Sequence, residues 1–199
     1  MRVLRNCLGL AACALVLCPT SAMARQLAIA TVTPQGVACI FTPACAVTVT
    51  DTTGAFTLFG NGGRGTLLVR TYPGLPGTRA AGLTGYSLFI NMRSDTSLGI
   101  ANCVEKLTID TGPVATVNYT GPPAEVFVVG ASGGAGLSRV DQTGSKVTFT
   151  FAKPVCPPPS RMTESLYFGF AAKGAPVPGK VQIIGTHGTT DVTVRIPTH

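Results

Sequence analysis

The alternation of apolar and polar residues is the sequence feature that most constrains how this chain folds. In residues 147–151, valine and phenylalanine alternate with threonine, and residues 192–196 alternate aliphatic side chains with threonine and arginine. A strict period of two places one row of side chains in a core and the other toward solvent, as in a half-buried β-strand. No segment carries a clear apolar stripe at helical spacing, so the sequence predicts an all-β fold.

Short strands separated by turn residues are predicted along most of the chain. Glycine and proline occupy the joints between them, for example in 72–77 and 121–123. Many short strands with such joints predict an antiparallel β-sandwich of about 10–13 strands. An outer-membrane barrel is disfavoured, because irregular joints and disulfides fit it poorly. The predicted strands lie near residues 26–32, 37–41, 44–50, 55–59, 66–72, 86–93, 99–109, 114–119, 125–129, 145–152, 164–172, 179–184 and 190–196.

The start of the chain has the pattern of a secretory signal peptide. Arg2 and Arg5 precede an apolar run at 7–18, and Ala22-Met23-Ala24 matches the small-x-small cleavage pattern. The apolar run is too short for a membrane span, which needs about 20 residues. Acylation of Cys13 in a lipoprotein signal is the alternative, and it is disfavoured because apolar residues continue past that cysteine.

We therefore predict a cleaved signal peptide at 1–24 and a single mature β-sandwich domain at 25–199. An exported protein reaches an oxidising space. The predicted location is secreted, periplasmic or on the cell surface, with no membrane span once the signal peptide is removed.

The four cysteines beyond the signal peptide predict two disulfides, since an even number in an exported chain favours pairing. A hairpin folded about Thr42 would place Cys39 opposite Cys45, close enough for a bridge. Cys103 then pairs with Cys156 by elimination. Zinc is disfavoured because the spacing is Cys-x5-Cys and the chain has two histidines. No cofactor is expected.

The charge of the chain argues against nucleic acid as a partner. Thirteen basic and eight acidic residues remain in 25–199, a formal net charge of +5. The basic residues are scattered and there is no tryptophan, whereas nucleic-acid sites need clustered cations and stacking aromatics. Charged residues make up 12% of the chain. Because little charge repulsion opposes it, self-association stays open.

Two glycine-rich motifs resemble catalytic or cofactor motifs. Residues 60–65 fit GxGxxG, but a strand pattern follows instead of the helix that a dinucleotide site requires, so we interpret them as a hairpin loop. Residues 130–134 fit GxSxG around Ser132, with Asp141 and His187 in the order found in hydrolases. No strand–turn–helix context surrounds Ser132, so we interpret the motif as a glycine-rich turn.

The long loop at 72–85 is the best candidate for binding, since long loops on rigid sheets often carry function. Arg70 and Tyr72 share a strand face where this loop begins, and Arg79 lies within it. Arginine and tyrosine are favoured at recognition surfaces. A purely structural loop is the alternative.

The sequence thus predicts an exported, non-enzymatic surface or periplasmic domain that binds a protein or glycan or assembles with itself. The first alternative is a small secreted hydrolase that uses Ser132 or a carboxylate pair. The second is a pilus-type structural subunit. Asn118 begins an N-glycosylation sequon, which matters only in a eukaryotic host.

Overall fold

Two β-sheets packed face to face make up most of the protein. The structure is a computed structural model that describes residues 23–46, 48–61, 63–93, 102–130 and 134–199. A short 3-10 turn at Phe59–Asn61 joins the third and fourth strands. The elements are β1 (Arg25–Gln26), β2 (Ile29–Val32), α1 (Pro34–Phe41), β3 (Thr50–Thr57), β4 (Arg64–Pro73), β5 (Thr84–Arg93), β6 (Val104–Asp110), β7 (Val114–Ala115), β8 (Val126–Val129), β9 (Leu137–Thr143), β10 (Lys146–Val155), β11 (Phe168–Ala172), β12 (Pro176–Gly185) and β13 (Gly188–Pro197).

The predicted antiparallel β-sandwich is confirmed. The first sheet has the order β1-β9-β10-β6-β12-β13, and the second has the order β2-β8-β11-β5-β4-β3, with β7 also paired to β11. Among the described strands, β2 and β8 form the one parallel pair. Apolar residues from both inner faces make one continuous core. Phe149 of the first sheet lies in it against Phe168 and Phe170 of the second, with ring centroids 5.1 and 6.1 Å apart.

The N-terminal segment contributes an edge to both sheets. The sequence predicted a single strand at 26–32, but β1 pairs with β9 in the first sheet and β2 pairs with β8 in the second. Glu125 holds the segment in which the chain passes from β1 in the first sheet to β2 in the second. Its carboxylate accepts hydrogen bonds of 2.8 Å from the Arg25 guanidinium and from the backbone N–H of Ala28.

The predicted strand at 37–41 is wrong, because these residues belong to α1. The helix begins with Thr33 as its N-cap, whose hydroxyl accepts from the Gly36 N–H at 3.1 Å, and with proline in its first turn. Both are helix-start signals. Val37, Ile40 and Phe41 are buried. Their spacing of three and four residues forms the apolar stripe by which α1 packs on the outer face of the second sheet.

Both disulfides form between the predicted partners, Cys39 with Cys45 and Cys103 with Cys156. The hairpin about Thr42 from which the first was inferred is absent. Cys39 lies in the last turns of α1, and Thr42 is the C-cap whose N–H donates to the Ala38 carbonyl at 2.9 Å. Two intramolecular disulfides are consistent with an oxidising, extracellular environment.

Other strand boundaries also differ from the prediction. The predicted strand at 44–50 is wrong, since β3 begins at Thr50. No strand was predicted at the residues of β9, yet β9 pairs with both β1 and β10. Val140 is fully buried there, whereas most of its neighbours are polar, so the pattern was too weak to show a strand. The hairpin predicted at 60–65 joins β3 to β4, with Gly60 at a φ of 70°.

Candidate functional site

A groove of about 480 Å³ opens on the outer face of the second sheet. Residues of β4 and β5 form its floor, and Pro34 and Val37 of α1 form one wall. The segment 164–167, which leads into β11, lines the opposite wall. Five of its lining residues have pure hydrocarbon side chains: Pro34, Val37, Phe89, Val129 and Leu166.

The register of the second sheet brings two floor residues, Arg70 and Ser87, into one row with their neighbours on β3 and β11. Asp51 of β3 lies opposite Arg70 of β4, Arg70 opposite Ser87 of β5, and Ser87 opposite Gly169 of β11. Side chains alternate along a strand, and the neighbouring Leu88 points into the core. The row therefore faces away from the first sheet, toward the groove.

The helix that forms one wall sits directly on a glycine of the floor strands. A Cβ atom at Gly85 would collide with the ring of Phe41, the last residue of α1. The Phe41 ring is also stacked on Tyr72, with centroids 5.4 Å apart. Both aromatic residues are buried. The position of this wall thus depends on glycine at position 85 and on the ring of Tyr72.

A bidentate ion pair between Arg70 and Asp51 lies beside the floor of the groove. The Arg70 guanidinium donates from Nε and Nη2 to the two carboxylate oxygens of Asp51, both at 2.8 Å. This hydrogen bonding lowers the pKa of Asp51, against the effect of burial, and raises the pKa of Arg70. The guanidinium carbon also lies 5.8 Å from the centroid of the Tyr167 ring. Both groups therefore stay ionised around neutral pH, and their charges compensate each other.

Two hydroxyls lie beside this pair at the deep end of the groove. Burial raises the pKa of the Tyr72 phenol, and the positive charge of Arg70 partly opposes that rise. Ser87 is 1% exposed, and its hydroxyl has no well-formed hydrogen bond among the described residues. The Tyr72 phenol is close enough to this hydroxyl for a weak interaction that lowers the pKa of Tyr72.

The middle of the groove is aromatic and its outer end is acidic. The Phe89 and Tyr167 rings are stacked with centroids 4.7 Å apart, and both are half-buried. Beyond them the exposed Glu164 accepts a hydrogen bond of 2.6 Å from Asn91. Asn91 lies four residues from Ser87 along β5, which corresponds to about 13 Å. The groove thus has two polar ends separated by an apolar centre.

The predicted binding residues do not all meet. Arg70 and Tyr72 both line the groove, as their shared strand face implied. Tyr72 is 7% exposed, so the expectation that its ring is a surface group is wrong. Arg79 lies elsewhere. It donates to the carbonyls of Asn118 and Tyr119 at 3.1 and 3.0 Å, which ties the 72–85 loop to the segment before β8.

Sequence reasoning missed the other polar residues of the site. Ser87 had a signal, because it is a small polar residue between Tyr86 and Leu88 in the mainly apolar middle of β5. No sequence signal pointed to Glu164 or Tyr167, since their approach to β5 depends on the pairing of strands that are distant in the chain.

The residues of the hydrolase alternative are not assembled in the described structure. Ser132 lies outside the described residues. Asp141 of β9 is paired with Arg139 at 2.7 Å, and His187 lies in the turn between β12 and β13. Three strand spacings separate β9 from β12 in the first sheet, about 14 Å.

Comparison of the chain with protein families, curated proteins and solved structures gives no match. Within the described ranges, no three or more His, Cys, Asp or Glu side chains are grouped as a metal site would require. No helix there is long and apolar enough to cross a membrane.

Proposed function

We propose that this protein is an exported, non-enzymatic binding module that holds its ligand in the groove between α1 and residues 164–167. One observation carries the proposal: the buried Ser87 hydroxyl, which has no well-formed hydrogen bond among the described residues, lies at the floor of a concave, largely apolar groove. Small-ligand sites are typically concave and apolar with a few polar groups that fix orientation. Leaving such a hydroxyl unpaired costs about 1–3 kcal/mol, which a bound ligand would recover.

Export is part of the proposal. It is supported by the signal-peptide pattern at 1–24 and by the two disulfides, which favour a secreted, periplasmic or cell-surface location.

A glycan suits the groove better than a folded protein partner does. A stable protein–protein interface takes about 20–30 residues from each side and is broadly flat, whereas twelve residues line this concave site. A sugar presents hydroxyls to the polar ends and C–H groups to the apolar centre. No described contact favours the hydrolase or the pilus-subunit alternative.

A glycan-binding screen of the mature chain 25–199 tests this function. Val129→Phe places a large ring in the groove from the outer face of β8, and Thr193→Phe places the same ring on the exposed face of β13 as the control. We expect the wild-type chain and Thr193→Phe to bind a shared set of glycans that Val129→Phe loses. Equal glycan binding by a folded Val129→Phe would exclude the groove, and binding to proteins alone would exclude a glycan.

A further inference from the structure

Resting on the proposed function, we propose that the groove selects an uncharged N-acetylated hexosamine and holds its acetamido group at the deep end, against Ser87 and Arg70.

The charges around the groove favour an uncharged sugar. The one cation lining it among the described residues is Arg70, and Asp51 already compensates that charge through two hydrogen bonds. An acidic sugar would find no uncompensated positive charge there and would meet Glu164 at the outer end. An amino sugar with a free ammonium group would have to place it beside the guanidinium at the deep end. Burying either charge without a partner is costly.

The balance of apolar and polar groups favours an acetamido substituent. A plain hexose carries a hydroxyl on most ring carbons, and each hydroxyl buried without a partner costs about 1–3 kcal/mol. The deep end supplies few hydrogen-bond partners. They are the Ser87 hydroxyl, the Tyr72 phenol and the Arg70 Nη1 group, which takes no part in the two bonds to Asp51. An acetamido group matches these partners, because its carbonyl can accept from Arg70 or Ser87, its N–H can donate to the Ser87 or Tyr72 hydroxyl, and its methyl suits the apolar wall at Val37.

The position of these groups sets the direction of the sugar. The acetamido carbonyl accepts from Ser87 or Arg70, and its methyl contacts the wall formed by Val37. The pyranose ring then lies over the half-exposed Phe89 and Tyr167 rings, where its C–H groups are covered. The rest of the glycan leaves past Glu164 toward solvent.

Methyl glycosides that share the pyranose ring test the inference directly. The probes are N-acetylglucosamine, N-acetylgalactosamine, glucose, glucosamine and glucuronate, each titrated into the isotope-labelled chain 25–199 and followed by NMR chemical shifts. We expect at least one N-acetylated sugar to bind about tenfold more tightly than glucose, glucosamine and glucuronate, with the largest shifts in β4 and β5. Tenfold corresponds to the loss of one buried hydrogen bond.

Two serine variants locate the acetamido group. Ser87→Ala should weaken binding of the N-acetylated sugar by about fivefold or more and leave weak glucose binding unchanged. Ser138→Ala, which removes a hydroxyl on β9 of the first sheet, should change neither.

The outcomes separate the two levels of the proposal. If no sugar shifts the groove residues, the proposed glycan-binding function fails. If glucosamine or glucuronate binds as tightly as the N-acetylated sugars, or if folded Ser87→Ala binds them unchanged, the function stands and the assignment of an N-acetylated sugar at Ser87 is overturned.

Discussion

Asp51 and Arg70 lie directly opposite each other on neighbouring strands, and two hydrogen bonds of 2.8 Å join the carboxylate to the guanidinium. The pair lies at the deep end of the groove, so Asp51 compensates the charge that Arg70 presents there. Asp51 therefore determines which ligand charges the groove accepts.

Replacing Asp51 should change ligand charge preference more than stability. In Asp51→Asn the guanidinium keeps its charge without a counter-ion, so we expect glucuronate to bind at least about fivefold more tightly than to the wild type. The loss of stability should stay below about 1 kcal/mol, since both partners are about one-third exposed. NMR titration and urea denaturation measure the two effects. Asp191→Asn removes a pair with Lys180 on the first sheet and should not alter sugar selectivity.

Glu125 should make the fold sensitive to acid. Burial alone would raise its pKa, but hydrogen bonds from Arg25 and from the Ala28 N–H bring the pKa below its ordinary value of 4.5. A carboxyl whose pKa is lowered in the folded state stabilises fully above the unfolded value, and that stabilisation is lost as the pH falls through the folded value.

The comparison of Glu125→Gln with the wild type tests this. At pH 7 we expect the variant to be less stable by about 1 kcal/mol, and the difference should shrink as the pH falls below 4.5. Urea denaturation at a series of pH values measures it, with Glu105→Gln on β6 as the same-charge control. A constant difference down to pH 3 would contradict the prediction.

Ser87 and Ser165 should respond in opposite ways to alanine. Both are buried and both line the groove, but Ser165 Oγ accepts a 2.9 Å hydrogen bond from the Ile90 N–H, whereas Ser87 Oγ has no such bond among the described residues. Ser165→Ala should lose about 1–3 kcal/mol, and Ser87→Ala should be as stable as the wild type or more so. Thermal and urea denaturation of the two variants gives the answer. A Ser87→Ala loss equal to that of Ser165→Ala would show that the Ser87 hydroxyl is bonded.

The aromatic ring of Tyr72 should stabilise the fold, and its hydroxyl should contribute little. The ring is buried against Phe41, so Tyr72→Ala should cost about 3–5 kcal/mol. Tyr72→Phe keeps the stacking and should change stability by less than about 1 kcal/mol. Denaturation midpoints measure both. Small and equal losses of stability in the two variants would mean that packing of α1 does not depend on this ring.

The two disulfides should contribute unequally to stability. Cys103–Cys156 closes a separation of 53 residues, and Cys39–Cys45 closes one of 6. In the chain-entropy account, their removal as double alanine variants should cost about 4 and about 2 kcal/mol, respectively. Urea denaturation under non-reducing conditions measures each loss. A larger loss at Cys39–Cys45 would show that the bridge mainly holds native packing.

The sandwich was predictable because its signal is local. In β10, Val147 and Phe149 are buried between half-buried threonines, which is the alternation read from the sequence. The helix α1 was missed because its eight residues hold only three buried positions, too short for a clear stripe. Thr33 and Pro34 did mark its start, and they could have been weighed against the strand prediction.

The groove was predictable only in part, because it is assembled across strands. Arg70 and Tyr72 share a face through the period of one strand, which a sequence shows. The approach of Ser87 to Gly169 depends on the register between β5 and β11, which are far apart in the chain. The position of Arg79 depends on where the 72–85 loop folds back, and the loop sequence does not encode that by any period.

Different bonds hold the floor of the groove and its helical wall. The floor strands β4, β5 and β11 are joined by backbone hydrogen bonds, which thiols do not affect. The C-terminal turn of α1 is fastened to the chain that follows it by Cys39–Cys45. We expect reduction of this bridge to loosen the helix and widen the groove while the sheets stay paired. Loss of this bridge alone, with Cys103–Cys156 intact, would then leave the fold in place and weaken ligand binding.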